Sequence, residues 1–151
     1  MSLKRTQHWA TREYNAHLLQ HANAPFEWGV NDCCTFAANA IQAFTAVDIA
    51  DQFRGRYHDE ASAFALIKTV TGKGDDPKTA VADAVEYCAN RHGLTEHTHP
   101  LLAKRGDLVV VRNGTNLLAG VVHLNGKHVV STSPSGLVRL PITAVVRAWA
   151  V

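Results

Sequence analysis

Trp28-Gly29-Val30-Asn31-Asp32-Cys33-Cys34-Thr35-Phe36 is the stretch on which the reading of the chain turns. Asp32 is a helix-capping residue type, and behind it Phe36, Ala37, Ala40, Ile41 and Phe44 recur at helical spacing. The stretch predicts a turn that opens a helix at Asp32, with Cys33 in the first turn. A helix amino terminus presents free N–H groups and the positive end of the macrodipole, which together stabilise a thiolate. Cys33 is the candidate nucleophile on that ground. The competing reading is that Cys33 and Cys34 are small core residues, because free cysteine is commonly buried.

Working outward, Trp9, Tyr14, Leu18 and Leu19 predict a helix from Thr6 to about Ala22, stopped before Pro25. Asp59 and Glu60 open a third helix that carries Phe64, Ile67 and Val70 and ends at Gly72. A fourth runs from Lys78 to His92, with Val81, Val85 and Cys88 inward and Gly93 as its cap. After Pro100 the texture turns to strands, at Leu108–Val111, Leu117–Leu124, Lys127–Ser131, Leu137–Leu140 and Val145–Val151. Asn125-Gly126 predicts a two-residue hairpin turn that pairs Leu124 with Lys127 and His123 with His128. Those two histidines then share a sheet face with Val121 and Val130, while Leu118, Gly120 and Val122 take the opposite face. Helices first and antiparallel strands second describe an α+β fold. No repeat or linker divides residues 1–151, so one domain is expected.

Composition narrows the function classes. The chain has 151 residues, 46% of them apolar and 19% charged, and its 15 basic and 13 acidic residues leave a net charge of +2. That balance provides no footprint for nucleic acid or an anionic membrane. Three cysteines without CxxC spacing argue against a disulfide framework and against a zinc site. The nine histidines are scattered, and His97 and His99 read as loop residues, so no metal or cofactor is expected. With no visible signal peptide and no apolar run of membrane length, the expected setting is a reducing cytoplasm, or an assembly built there. Arg54-Gly55-Arg56-Tyr57 reads as a tight turn beside a packed tyrosine. Trp9, Trp28 and Trp149 read as core anchors, and Trp28, next to the cysteine turn, is also placed to line a groove.

The Trp28-to-Phe36 stretch resembles the nucleophile motif of NlpC-type cell-wall cysteine peptidases, papain-like α+β enzymes. Ala103-Lys104-Arg105-Gly106-Asp107-Leu108-Val109 resembles their "Gly-Asp-Leu" strand, and Gly120-Val121-Val122 with Asn125-Gly126 resembles the strand and hairpin that follow. A closer resemblance is to a phage and prophage family of uncharacterised function found among tail genes. It rests on the Trp-Gly-x-x-Asp-Cys motif, on Asp48, Arg54, Gly55 and Tyr57 at their spacing, on Gly136-Leu137-Val138-Arg139-Leu140-Pro141, and on the terminal Ala148-Trp149.

The resemblance implies a papain-like NlpC-type fold, with amino-terminal helices on a carboxy-terminal antiparallel sheet. It also implies manufacture in a host cytoplasm, a place in the virion tail, other tail proteins as partners, and peptidoglycan as a possible ligand. Where the peptidases carry the catalytic histidine, this chain has Leu118, and where they carry the third polar residue it has Val130. Cys33 therefore maps and its partners do not. A degenerate scaffold or binding module is the first expectation, and an active peptidase cutting stem peptides during phage entry the alternative. His123 and His128 are the substitute candidates for the base. If the family geometry holds, the Leu118 face looks toward Cys33 and the two histidines look away from it.

Overall fold

The computed structural model describes residues 3–151. Four helices precede or flank a six-stranded sheet. The helices are α1 (Tyr14–His21), α2 (Cys33–Thr45), α3 (Glu60–Thr71) and α4 (Ala80–Arg91). The strands are β1 (Thr95–Glu96), β2 (Leu108–Asn113), β3 (Asn116–Val122), β4 (His128–Ser133), β5 (Gly136–Pro141) and β6 (Val145–Ala150). They lie in the order β1-β6-β2-β3-β4-β5, and every pairing is antiparallel. The α+β expectation is met.

Two capping boxes fix where the central helices begin. Asp32 accepts from the Thr35 N–H while the Thr35 hydroxyl accepts from the Asp32 N–H, and Asp59 and Ser62 repeat the device at α3. Each box satisfies two donors that a bare helix start leaves orphaned. The first helix is shorter than the expected Thr6–Ala22. Thr6 donates its N–H to the Phe44 carbonyl, which ties the chain to the end of α2, and a π-helical turn over Trp9–Glu13 leads into α1. The fourth helix starts at Ala80 instead of Lys78, because the Asp76 carboxylate holds the Lys78 N–H in a turn. The short β1, expected as loop, pairs Thr95 with Ala150 and Glu96 with Trp149.

The sheet is buried on both faces. Leu108, Val110, Ala119, Val121 and Trp149 pack with Ala37, Ile41 and Phe44 of α2. Val109, Val111, Val122, Val129 and Ala148 form a second cluster on the reverse. This corrects the expected facing: the Ala119/Val121 side looks toward α2 and Cys33, and Val122 lies on the far side. Leu118, at the start of the hairpin, touches both clusters. A third cluster, with Phe53, Leu66, Ile67, Ala84 and Cys88, joins α3 to α4.

Asp107 of the Gly-Asp-Leu strand ties the ends of the chain together. It is buried and accepts from Arg5, His97 and the N–H groups of Lys104 and Val151. His97 is a loop residue, as its sequence suggested, and it also partners a buried carboxylate, Nε2 to Oδ2 at 2.8 Å.

Candidate functional site around Cys33

Cys33 is the first residue of α2, immediately after the cap, and it is buried. The cap is itself held from two further sides. Asp32 Oδ2 accepts from the Gly29 N–H at 2.9 Å and from the Tyr57 hydroxyl at 2.5 Å. Gly29 has φ +83°, and a Cβ there would come within 2.3 Å of the Tyr57 carbonyl oxygen. Only glycine lets the cysteine turn and the Tyr57 segment approach this closely. The turn at Arg54-Gly55 is fastened by a two-pronged Arg54–Asp48 pair, at 2.7 and 3.0 Å, which holds the Asp48 carboxyl below its ordinary range.

In front of Cys33 lies a cavity of about 320 Å³, at the small end of the roughly 300–1,000 Å³ usual for ligand sites. Its walls come from α2, α3, α4 and the Asn116–Ala119 and Thr132–Pro134 ends of β3 and β4. Phe53, Phe64, Val81 and Leu117 make most of it apolar, and Trp28 lines it as the sequence suggested. All three cysteines are among its lining residues, with Cys33 Sγ 4.0 Å from Cys34 Sγ.

The electrostatics disfavour thiolates at Cys34 and Cys88. The hydrogen bond with Cys33 and burial both raise the Cys34 thiol, and the Asp32 carboxylate adds to the effect. Burial pushes Cys88 up to about 12. Burial, with the negative charge of Asp32 adding to it, raises the Tyr57 phenol as well, so it stays a hydrogen-bond donor.

The structure does not bring the two candidate bases to Cys33. His123 lies four positions beyond Ala119 along β3, about 13 Å at 3.3 Å per residue, and among the described residues no histidine lines the cavity. The expected register is right, because His123 donates its N–H to the His128 carbonyl. The turn is longer than the two residues expected, with Leu124 to Lys127 all in the loop. Asn125 occupies both rings: its N–H donates to His123 Nδ1, and its side-chain amide lies 2.9 Å from His128 Nδ1. Leu118 sits on the cavity wall. Val130 is buried. The residues that sequence reasoning missed are Tyr57, as partner of Asp32, and Thr132. Thr132 lies on the cavity wall with its Oγ1 buried and without a hydrogen-bond partner among the described residues. Among the described residues there is no group of side chains suited to holding a metal ion, and no helix is long and apolar enough to cross a membrane.

Against families of known sequence, residues 4–151 match a domain of unknown function, DUF6950. No curated protein and no solved structure matches.

Proposed function

The chain belongs to the DUF6950 family, and we propose that it is a phage tail-tip or tail-assembly protein with a papain-like NlpC-type fold, working as a binding module and not as a peptidase. The fold reading is supported by a helix-borne Cys33 packed on an antiparallel sheet whose second strand begins at Leu108, directly after Gly106-Asp107. One observation carries the function: the thiol faces an apolar cavity, and both candidate imidazoles stand at the other end of the hairpin. Acyl transfer by a thiol requires attack, a stabilised oxyanion and a proton for the leaving amine. Cys33 can attack, and N–H groups at the start of α2 can steady the oxyanion. Among the described residues no imidazole stands in the cavity wall to take the third step, and such acid–base work is typically worth about a hundredfold to ten-thousandfold.

The alternative, an active peptidase cutting peptidoglycan stem peptides, is favoured by the placement of Cys33 as the first residue of α2, at the mouth of a cavity. Complementation separates the two. Deleting the gene from an inducible prophage is expected to stop assembly of infectious particles, and a Cys33→Ala copy is expected to restore it. Failure of a folded Cys33→Ala protein to complement favours the peptidase. Normal particles from the deletion strain remove the tail role altogether.

A further inference from the structure

The same cavity contains a feature that the binding-module reading leaves unexplained. Thr132 is 1% exposed, lies on the cavity wall, and has a buried Oγ1 with no partner among the described residues. A buried hydroxyl left unpaired is costly, and native proteins leave few of them. The orphan arises from how β3 and β4 part. Their ladder runs through Val122–Val129 and Val121–Val130 and goes no further. At Gly120 the strands come so close that a Cβ would lie 2.8 Å from the Val130 carbonyl oxygen. Beyond it, the Ser131 hydroxyl takes the Ala119 carbonyl in place of a ladder bond. Because Val122 bonds toward β2 and His123 toward β4, the antiparallel alternation turns the peptide groups of Leu117 toward the same opening.

We propose that this cavity is a recognition pocket for one tryptophan or tyrosine side chain of a partner polypeptide, whose indole N–H or hydroxyl bonds to Thr132 Oγ1. The proposal rests on the binding-module reading and names what the module binds. The walls are apolar and give an aromatic ring its burial. The wall residue Thr132 carries an unpaired hydroxyl, which suits a side chain with an apolar body and a single polar handle. At the rim, Asn116 and the peptide groups of Leu117 are placed to meet the partner's main chain. A peptidoglycan stem peptide fits poorly, because it offers alanine methyls and free carboxylates, and Lys78 is the single basic residue on the wall.

Capped tripeptides acetyl-Gly-X-Gly-amide, with X as Trp, Phe, Leu, Ala or Glu, test this by titration against the ¹⁵N-labelled full chain, with free indole and decanoate as separate arms. Trp is expected to bind about tenfold or more tighter than Ala, and about fivefold tighter than Phe through the added hydrogen bond. The shifts should centre on Leu117, Ala119 and Thr132. In Thr132→Val the Trp-over-Phe preference should vanish while the free protein becomes no less stable, a combination that a purely structural threonine would not give. Val81→Trp should fill the pocket and abolish binding in a second, independent way. The proposal is overturned by equal binding of Glu and Trp peptides, by no peptide binding, by an unchanged preference in Thr132→Val, or by indole or decanoate binding as tightly as the Trp peptide. Mass spectra of the same samples report on the underlying reading separately, since Cys33-dependent cleavage of a tripeptide would overturn the module even where the binding order held.

Discussion

The β3–β4 hairpin has two ends that differ in almost every respect. At the loop end the ladder is regular, His123 meets His128, and Asn125 stitches the turn with its own side chain. At the other end the strands part, a hydroxyl is left without a partner among the described residues, and an apolar cavity opens against Cys33. The candidate nucleophile Cys33 is therefore at one end and the spare imidazoles at the other. Having the right residue types in one chain is not having a site, since general acid–base chemistry requires hydrogen-bond reach.

The largest effect expected from this contrast comes at the Cys33 end. Gly29→Ala should destabilise the fold by about 3–5 kcal/mol, because the new Cβ meets the Tyr57 carbonyl in a backbone region that only glycine adopts easily. Urea unfolding of the variant measures it. A loss below about 1 kcal/mol would show that the Asp32–Tyr57 lock is loose.

A third histidine sharpens the comparison. His17 of α1 is buried, stacked on His21 and edge-on to Phe36 of α2, and its Nε2 has no partner among the described residues. Burial lowers its pKa from 6.5 to about 4. The unfolded chain therefore binds a proton between those values that the folded chain refuses. Stability is full above pH 6.5, falls as the pH drops through 6.5 toward 4, and levels off below. The loss should reach roughly 3 kcal/mol, and His17→Leu should remove most of it. Unfolding curves at neutral and acid pH check both statements. An acid loss that persists in His17→Leu would assign it to other groups.

The smallest effect belongs at the loop end. His123→Ala and His128→Ala together should change stability by no more than about 1 kcal/mol, and should leave the rate at which iodoacetamide alkylates Cys33 unchanged. A slower rate in the double variant would mean that an imidazole reaches the thiol in solution.

Local chemistry was legible in the sequence. Asp32 and Asp59 announce their helices as caps, and Asn125-Gly126 announces the hairpin with its register intact. What could not be read is what depends on packing. Residues 117 to 122 are apolar or small at every position, because both faces of β3 are buried, so no alternation tells which face meets α2. The Asp32–Tyr57 bond spans 25 positions, and the α3–α4 wall of the cavity is further removed still. Neither leaves a periodic signal. The orphaned Thr132 hydroxyl exists only because β3 and β4 part after Val121, and the sequence hint there was the single glycine at position 120.

The central claim is that Cys33 stands without a working base. Digestion of purified peptidoglycan by the wild-type chain and by Cys33→Ala, followed by mass spectrometry of the released peptides, tests it most directly. The two proteins are expected to give the same fragment pattern as buffer. Fragments produced by the wild type and absent with Cys33→Ala would contradict the account.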